Sequence, residues 1–336
     1  MRKSVRPAAP TILDVAHAAS VSRTTASDAL SGSGRVSEQT RLAVAAAADR
    51  LGYTPNRSAR NLRTSTTETI GLHIPEFLTR SEYYMSFVFG VAEGAGAAGY
   101  NVTLITAQHL PLRGATPQVD GLILCDPVAK DPMVRRLMGA EIPVVTAERY
   151  AGSLQPAGVV WSDHKVTFRQ LLDHVRGSGA RLPALLGSGA FSDWSTTLHR
   201  TYTTWCRQQG VPRILHVPHF GASAEELRTA VRGMLDANPD IDFLICAADA
   251  AATTILPELT AAGREIGRDI LLASCVDSTA MSAAQPAITA IDLAPRTMGA
   301  ECARLLIDIV AGEAAPGAVR TTPIELHLRD STRWVR

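Results

Sequence analysis

The sequence predicts an α/β protein in two parts, a small all-α head followed by a larger body of two lobes built on parallel sheets. Three features predict it. Over the first fifty or so residues, apolar side chains recur at helical spacing between polar caps. From Thr69 onward, short apolar runs alternate with helical stretches, as strand and crossover helix do in parallel sheets. Charge divides the chain as well: residues 1–64 carry ten basic and four acidic side chains, a net +6 within a chain of 336 residues whose total is only +1. A basic head on an acidic body suits a polyanion-binding module attached to a sensor or an enzyme. Lys occurs only three times, however, so the excess of Arg reflects coding bias as readily as contact with nucleic acid.

A composition of 46% hydrophobic and 19% charged residues excludes disorder and collagen-like architecture. No run approaches the ~20 apolar residues of a membrane span. Met1 to Pro10 has charges without an apolar segment behind them, so no membrane and a cytoplasmic address are expected. The five cysteines are far apart, without C-x-x-C spacing, and read as small buried hydrophobes rather than disulfide partners or zinc ligands. No cofactor is implied.

In the head, Thr11 and Asp14 have capping-box spacing, and Ile12, Val15, Ala16 and Ala19 follow on one helical face. Ser22 caps a second helix, Arg23 to Leu30, whose apolar face is Ala26, Ala29 and Leu30. After the Ser31-Gly32-Ser33-Gly34 loop, Ser37 caps a third, with Val44, Ala47, Ala48 and Leu51 inward and Gly52 as its stop. So short a link between the first two helices makes a helix-turn-helix. Its second helix then offers Arg23, Thr24 and Thr25 on an exposed first turn, the part of such motifs that enters the major groove.

The stretch TILDVAHAASVSRTTASDALSGSGRVSEQTRLAVAAAADRLGYTPNRSARNLR closely resembles the DNA-binding head of the lactose-repressor (LacI/GalR) family of bacterial transcription regulators. T-I-x-D-V-A at Thr11, V-S-x-x-T at Val21, R-V-S-x-x-T-R at Arg35 and L-G-Y-x-P-N-R at Leu51 carry the match. The resemblance implies that Arg23 and Thr24 read bases, while Thr25, Ser27, Ser37 and Asn56, with Arg57 beside it, meet phosphates. Asp28 stands where many members have Arg or a small residue. Beside DNA a carboxylate must accept from cytosine or be repelled, so Asp28 suggests an unusual operator preference, or else a surface ion pair.

The segment after Pro55 is too short to hold a helix by itself in water. It reads as a hinge, ordered when DNA and a second copy supply partners, with Leu62 by resemblance the apolar wedge that bends the minor groove. The boundaries expected are residues 1–54 for the head, 55–66 for hinge helix and linker, and 67–336 for the body.

In the body, strands are predicted at Thr69 to Pro75, Asn101 to Thr106, Gly121 to Cys125, Ile142 to Thr146, Leu182 to Leu186, Phe243 to Ala247 and Ile270 to Ser274, with a helix from Phe87 to Gly99. Two parallel sheets place a cleft at the strands' carboxyl ends. The resemblance extends over almost the whole chain through T-I-G-L, V-D-G-L-I-L, I-P-V-V and E-L-H-L-R-D-S-T, and implies a periplasmic-binding-protein-like body. The spacer from Thr106 to Val119 looks too short and too rich in Pro and Gly for the family's second helix. No heptad tail precedes Arg336, which favours a homodimer.

The cleft is where the sequence departs from its relatives. Glu76, Phe77, Tyr84 and Asp163 match positions that line it. Thr196 stands for the family's sugar-clamping Arg, Ala248 for its Asn, Val276 for its Asp and Leu293 for a Gln or Asn. A buried hydroxyl left unpaired costs about 1 to 3 kcal/mol, so four such changes count against an ordinary hexose. The expected effector is a less polar small molecule held against Phe191, Trp194 or Trp161, or there is none; alternatively Asp193 or Asp277 supplies the missing clamp.

Among enzyme signatures, G-x-S-x-G, H-E-x-x-H and the Walker phosphate loop are all missing, and Gly187-Ser188-Gly189 reads as a turn. His216 and His219 read as strand or surface residues. The sequence therefore points to a DNA-binding transcription regulator, most often a repressor in such families, that reads a near-palindromic operator as a dimer.

Overall fold

A computed structural model describes residues 10–32, 34–53, 66–75, 81–106, 118–189, 192–219 and 221–335. The chain forms two compact units, Met1–Thr67 and Glu68–Arg336.

The head contains α1 (Ile12–Ala18), α2 (Arg23–Ser31) and α3 (Glu38–Leu51). Each starts on the predicted cap. Thr11 and Asp14 close a reciprocal capping box, and the hydroxyls of Ser22 and Ser37 accept the amides of Thr25 and Thr40 at 3.0 and 3.2 Å. Gly32 and Gly52 end α2 and α3 in the left-handed conformation, at φ 70° and 63°, where a side chain would be strained. Val15, Ala16, Ala26, Ala29, Val44, Ala47 and Ala48 form the core, small side chains that let three short helices approach closely. Leu51, expected inward, is 37% exposed, because the last turn of α3 runs past its neighbours.

The body has two six-stranded sheets. Lobe 1 holds β1 (Thr69–His73), β2 (Asn101–Leu104), β3 (Gly121–Cys125), β4 (Val144–Ala147), β5 (Gly158–Trp161) and β11 (Ala318–Thr321), in the order β11-β5-β4-β3-β1-β2 and all parallel. Lobe 2 holds β6 (Pro183–Leu186), β7 (Ile214–His216), β8 (Phe243–Cys246), β9 (Leu271–Ser274), β10 (Thr289–Asp292) and β12 (Glu325–His327), in the order β12-β10-β9-β8-β6-β7. Only β12 is antiparallel there, to β10. The central strands are mostly apolar, as burial on both faces requires: all five residues of β3 are buried.

Helices that place the cleft are α4 (Glu82–Ala97) in lobe 1, and α6 (His164–Gly177) and α7 (Asp193–Gln209) in lobe 2; α5 (Pro132–Met138) covers the other face of the first sheet. Lobe 2 also has α8 (Ala224–Ala237), α9 (Ala251–Thr254), α10 (Leu256–Ala261) and α11 (Thr279–Ala283). The last long helix, α12 (Pro295–Val310), returns to lobe 1, where it packs against α4 through Met298, Cys302 and Ala303. The chain thus passes between lobes three times: from β5 to α6, from β10 to α12, and from β11 to β12.

Helix α4 begins at Glu82 and not at Phe87 as predicted. Ser81 occupies its N-cap position, and Tyr83 and Tyr84 turn inward on the added first turn. The strand predicted from Ile142 starts at Val144, because Pro143 has no amide to donate. All five cysteines are buried and unpaired. The spacer residues 107–117 lie outside the described residues.

Candidate DNA interface and ligand cleft

In the head, Arg23 and Thr24 are exposed on the first turn of α2, with Thr25, Ser27 and Asp28 partly covered behind them. The Thr25 hydroxyl lies 2.8 Å from Ser22 Oγ, and Ser37 caps α3. A helix N-terminus presents free amides and the positive end of its dipole, which is what a phosphate needs. Asp28 folds toward the loop that follows: a Cβ at Gly34 would lie 3.0 Å from its Oδ2. That contact gives Asp28 a place within the head besides any base. Asn56, Arg57 and Leu62 lie outside the described residues.

In the body, a cavity of about 160 Å³ opens at the carboxyl ends of both sheets. It has roughly the room that one benzene-sized ring needs. Tyr84, Trp194, Ala248, Val276 and Leu293 are among the residues that line it. Asp163, Thr196 and Trp161 are not. Asp163 is exposed and caps α6, accepting the Val166 amide at 3.2 Å; its neighbour His164 is the residue turned into the cleft, since successive side chains at a helix start point in different directions. Thr196 sits half-buried on α7, away from the lining. Glu76, Phe77 and Phe191 lie outside the described residues. Trp161 is instead covered by Arg149, whose guanidinium carbon lies 3.7 Å from the ring centre.

The alternative clamps are not available as such. Asp277 is held by Arg329 at 2.6 and 2.8 Å and by His327 at 2.8 Å, and Asp193 is not among the lining residues. Ser188 and Gly189 of the predicted turn do reach the cavity, and His219 stands at its rim.

The polar end of the cleft is a group that the sequence reading missed. Asp126 follows β3, Glu148 follows β4, and both adopt left-handed backbone, at φ 48° and 71°. Such conformations are uncommon for residues with side chains and gather at functional sites. Glu148 Oε1 meets His164 Nε2 at 2.8 Å, and Tyr84 donates to Asp126 Oδ2 at 3.2 Å. Burial, then the nearby Glu148, pushes the Asp126 carboxyl up to about 6, against hydrogen bonds from Ser192 and Tyr84. Burial alone would lower His164, but the Glu148 carboxylate outweighs it and raises the imidazole. The missed signal was present: each acid directly follows an apolar strand, at the end where ligands of parallel sheets bind.

Among the described residues, no group of His, Cys, Asp and Glu side chains is arranged to hold a metal ion, and no helix is long and apolar enough to cross a membrane. A head that exposes a capped, polar helix turn, in a chain whose body encloses a ligand-sized cleft between two lobes, defines a ligand-responsive DNA-binding regulator.

The comparisons with known proteins agree. The family model for bacterial regulatory proteins, lacI family, matches residues 11–56, and that for the periplasmic binding protein-like domain matches residues 172–332. The HTH-type transcriptional regulator CelR of Thermobifida fusca is 31% identical, over 96% of this chain and 98% of its own. The maltose regulon regulatory protein MalI of Escherichia coli (strain K12) is 30% identical, over 88% and 89%. The lac repressor dimer bound to operator superposes with a TM-score of 0.79 at 23% identity, covering 96% of this chain and 99% of that one. A CelR–cellobiose complex gives 0.70 at 27%, with the same coverage. The chain belongs to the lacI family of bacterial regulatory proteins, and its relatives are transcriptional regulators rather than enzymes.

Proposed function

We propose that the protein is a cytoplasmic repressor without catalytic activity, which binds a near-palindromic operator as a homodimer and is modulated by a small molecule in the cleft. The observation that carries this reading is the exposed first turn of α2. Arg23 and Thr24 are free to meet base edges there, while Ser22 and Ser37 fix the helix starts. Residues 1–54 form the head. Residues 55–66 form the hinge, in which Leu62 acts as the wedge and Asn56 and Arg57 meet phosphates. Thr25, Ser27 and Ser37 complete the phosphate set, and Asp28 tunes the preference.

The dimer follows from the operator's symmetry and accords with the lac repressor dimer on its operator. Helix α4 offers an apolar outward face for it, with Met85 and Phe89 41% and 57% exposed.

The effector is not an ordinary hexose. CelR has been solved with cellobiose. Here no Arg, Lys, Asn or Gln stands among the described lining residues, and the cavity has room for about one ring. Trp194, Ala248 and Val276 supply an apolar wall.

Selection of duplexes from a random pool by the full chain, followed by the same selection with Arg23→Ala, tests the reading. The parent should enrich an inverted repeat. The variant should lose about 1 to 3 kcal/mol of affinity and relax the preference at one base position in each half. Uniform weakening with unchanged preference would remove Arg23 from base reading, and a pool with no enriched repeat would remove the operator function.

A further inference from the structure

The polar end of the cleft holds two carboxylates and no Lys or Arg among its described lining residues. Four buried side-chain atoms of its lining residues have no hydrogen-bond partner among the described residues: Ser81 Oγ, Asp126 Oδ1, Glu148 Oε2 and His164 Nδ1. Ser81, Glu148 and His164 are only 9%, 4% and 5% exposed. Tyr84 and the imidazole Nε2 each bond one oxygen of a carboxylate, and the other oxygen of each is buried without a partner among the described residues.

An ionised carboxylate only accepts, and an imidazole that donates from Nε2 accepts at Nδ1 while neutral. Two negative charges therefore converge with no Lys or Arg among the described lining residues. Protonation of His164 would still leave one charge uncompensated. Buried polar atoms left open cost about 1 to 3 kcal/mol each, and charged ones more, so the wall calls for an occupant that donates without accepting.

A sugar hydroxyl can donate its one proton to a carboxylate but brings no charge to offset the two acids. An ammonium group has three donors, no acceptor and a compensating charge. The same cavity is lined by Trp194, Val276 and Leu293, which offer indole and hydrocarbon. That surface suits an apolar body, and an indole also attracts a cation.

We propose that the cleft takes a small amine, its protonated nitrogen held by Asp126, Glu148 and Ser81 and its single hydrocarbon or aromatic ring seated against Trp194, Val276 and Leu293. The assignment rests on the effector role of the cleft proposed above.

Calorimetric titration of the full chain without DNA, using 2-phenylethylamine, 2-phenylethanol and cellobiose, decides it. The amine should bind at least about tenfold more tightly than the alcohol of the same shape, and cellobiose should not displace it. Glu148→Gln should cut that advantage to about threefold or less while leaving the alcohol unchanged; Asp126→Asn, which also keeps side-chain shape, gives the same readout should the first variant not fold. No binding of the amine, equal binding of amine and alcohol, or displacement by cellobiose overturns the proposal. Operator binding by the same preparation separates the two readings. A selected duplex without amine preference sinks the amine and keeps the regulator, whereas amine preference without a selected duplex does the reverse.

Discussion

Asp126 shows how a single residue in the cleft is kept against its own stability. Its carboxyl, raised to about 6 by burial and by Glu148, is faced by Tyr84 and Ser192 as hydrogen-bond donors and by His164 as the one nearby cationic group. The ordinary value is about 3.9, so the folded chain holds this proton more tightly than the unfolded one. The contribution therefore favours folding in full below about pH 4 and is lost as the pH rises through about 6. Asp126→Asn should accordingly stabilise the chain at pH 7.5 by about 1 to 2 kcal/mol, a figure reduced for partial solvent access, with the gain vanishing toward pH 4. Urea melts at the two pH values check this, and a variant no more stable than the parent at pH 7.5 would mean that the charge is already compensated. Of the cleft's lining residues, Tyr84, Ala248 and Val276 were named from the resemblance, and Trp194 as an aromatic surface for a less polar effector. Asp126 and Glu148 were legible only from the rule that ligands sit beyond strand ends, because their partner His164 is brought to them by the fold and not by spacing along the chain.

At the scale of elements, the contact between α4 and α12 sets the rigidity of lobe 1. A Cβ at Gly90 would lie 2.0 Å from the Arg296 carbonyl oxygen, and one at Gly299 would lie 2.3 Å from that of Phe87, so the two helices touch backbone to backbone. Neither carbonyl can move aside as a side chain would. Gly90→Ala should therefore cost about 3 kcal/mol and lower the melting temperature of the body, while its neighbour on the open side, Gly96→Ala, should be neutral or slightly stabilising. Equal melting temperatures for Gly90→Ala and the parent would show that the helices separate freely. Nothing local announced this contact. The packing of α12 in lobe 1, after a strand of lobe 2, depends on a return across the molecule. Short strands such as β11 and β12 were likewise missed. Their three or four residues are only partly covered at sheet edges, and no apolar run marks them. The caps of the head, by contrast, were legible to the residue, because Ser22 and Ser37 bond the amide and hydroxyl of the residue three positions on.

Across the whole body, the chain passes between the lobes three times, and polar contacts span the gap. Glu148 at the end of β4 holds His164 at the start of α6, where the chain first crosses. At the mouth, Glu82 of α4 accepts from the Thr279 amide at 3.2 Å and from its hydroxyl at 2.8 Å, tying lobe 1 to α11 of lobe 2. A ligand shifts such an arrangement only by binding its two forms unequally, and by linkage it alters DNA affinity only to that extent. If Glu82 and Thr279 favour the closed form, removing either should lower affinity for whatever fills the cleft. The pair is exposed, so the loss should be small, about threefold to fivefold for 2-phenylethylamine with Glu82→Ala, with the fold unchanged. Thr279→Ala removes only the hydroxyl contact and should lose less. In a double-mutant cycle, the combined variant should then bind no worse than Glu82→Ala alone, because one interaction is broken once. Losses that simply add would show that the two residues act separately and that closure of the cleft is set elsewhere, with the buried Glu148–His164 contact the next place to look.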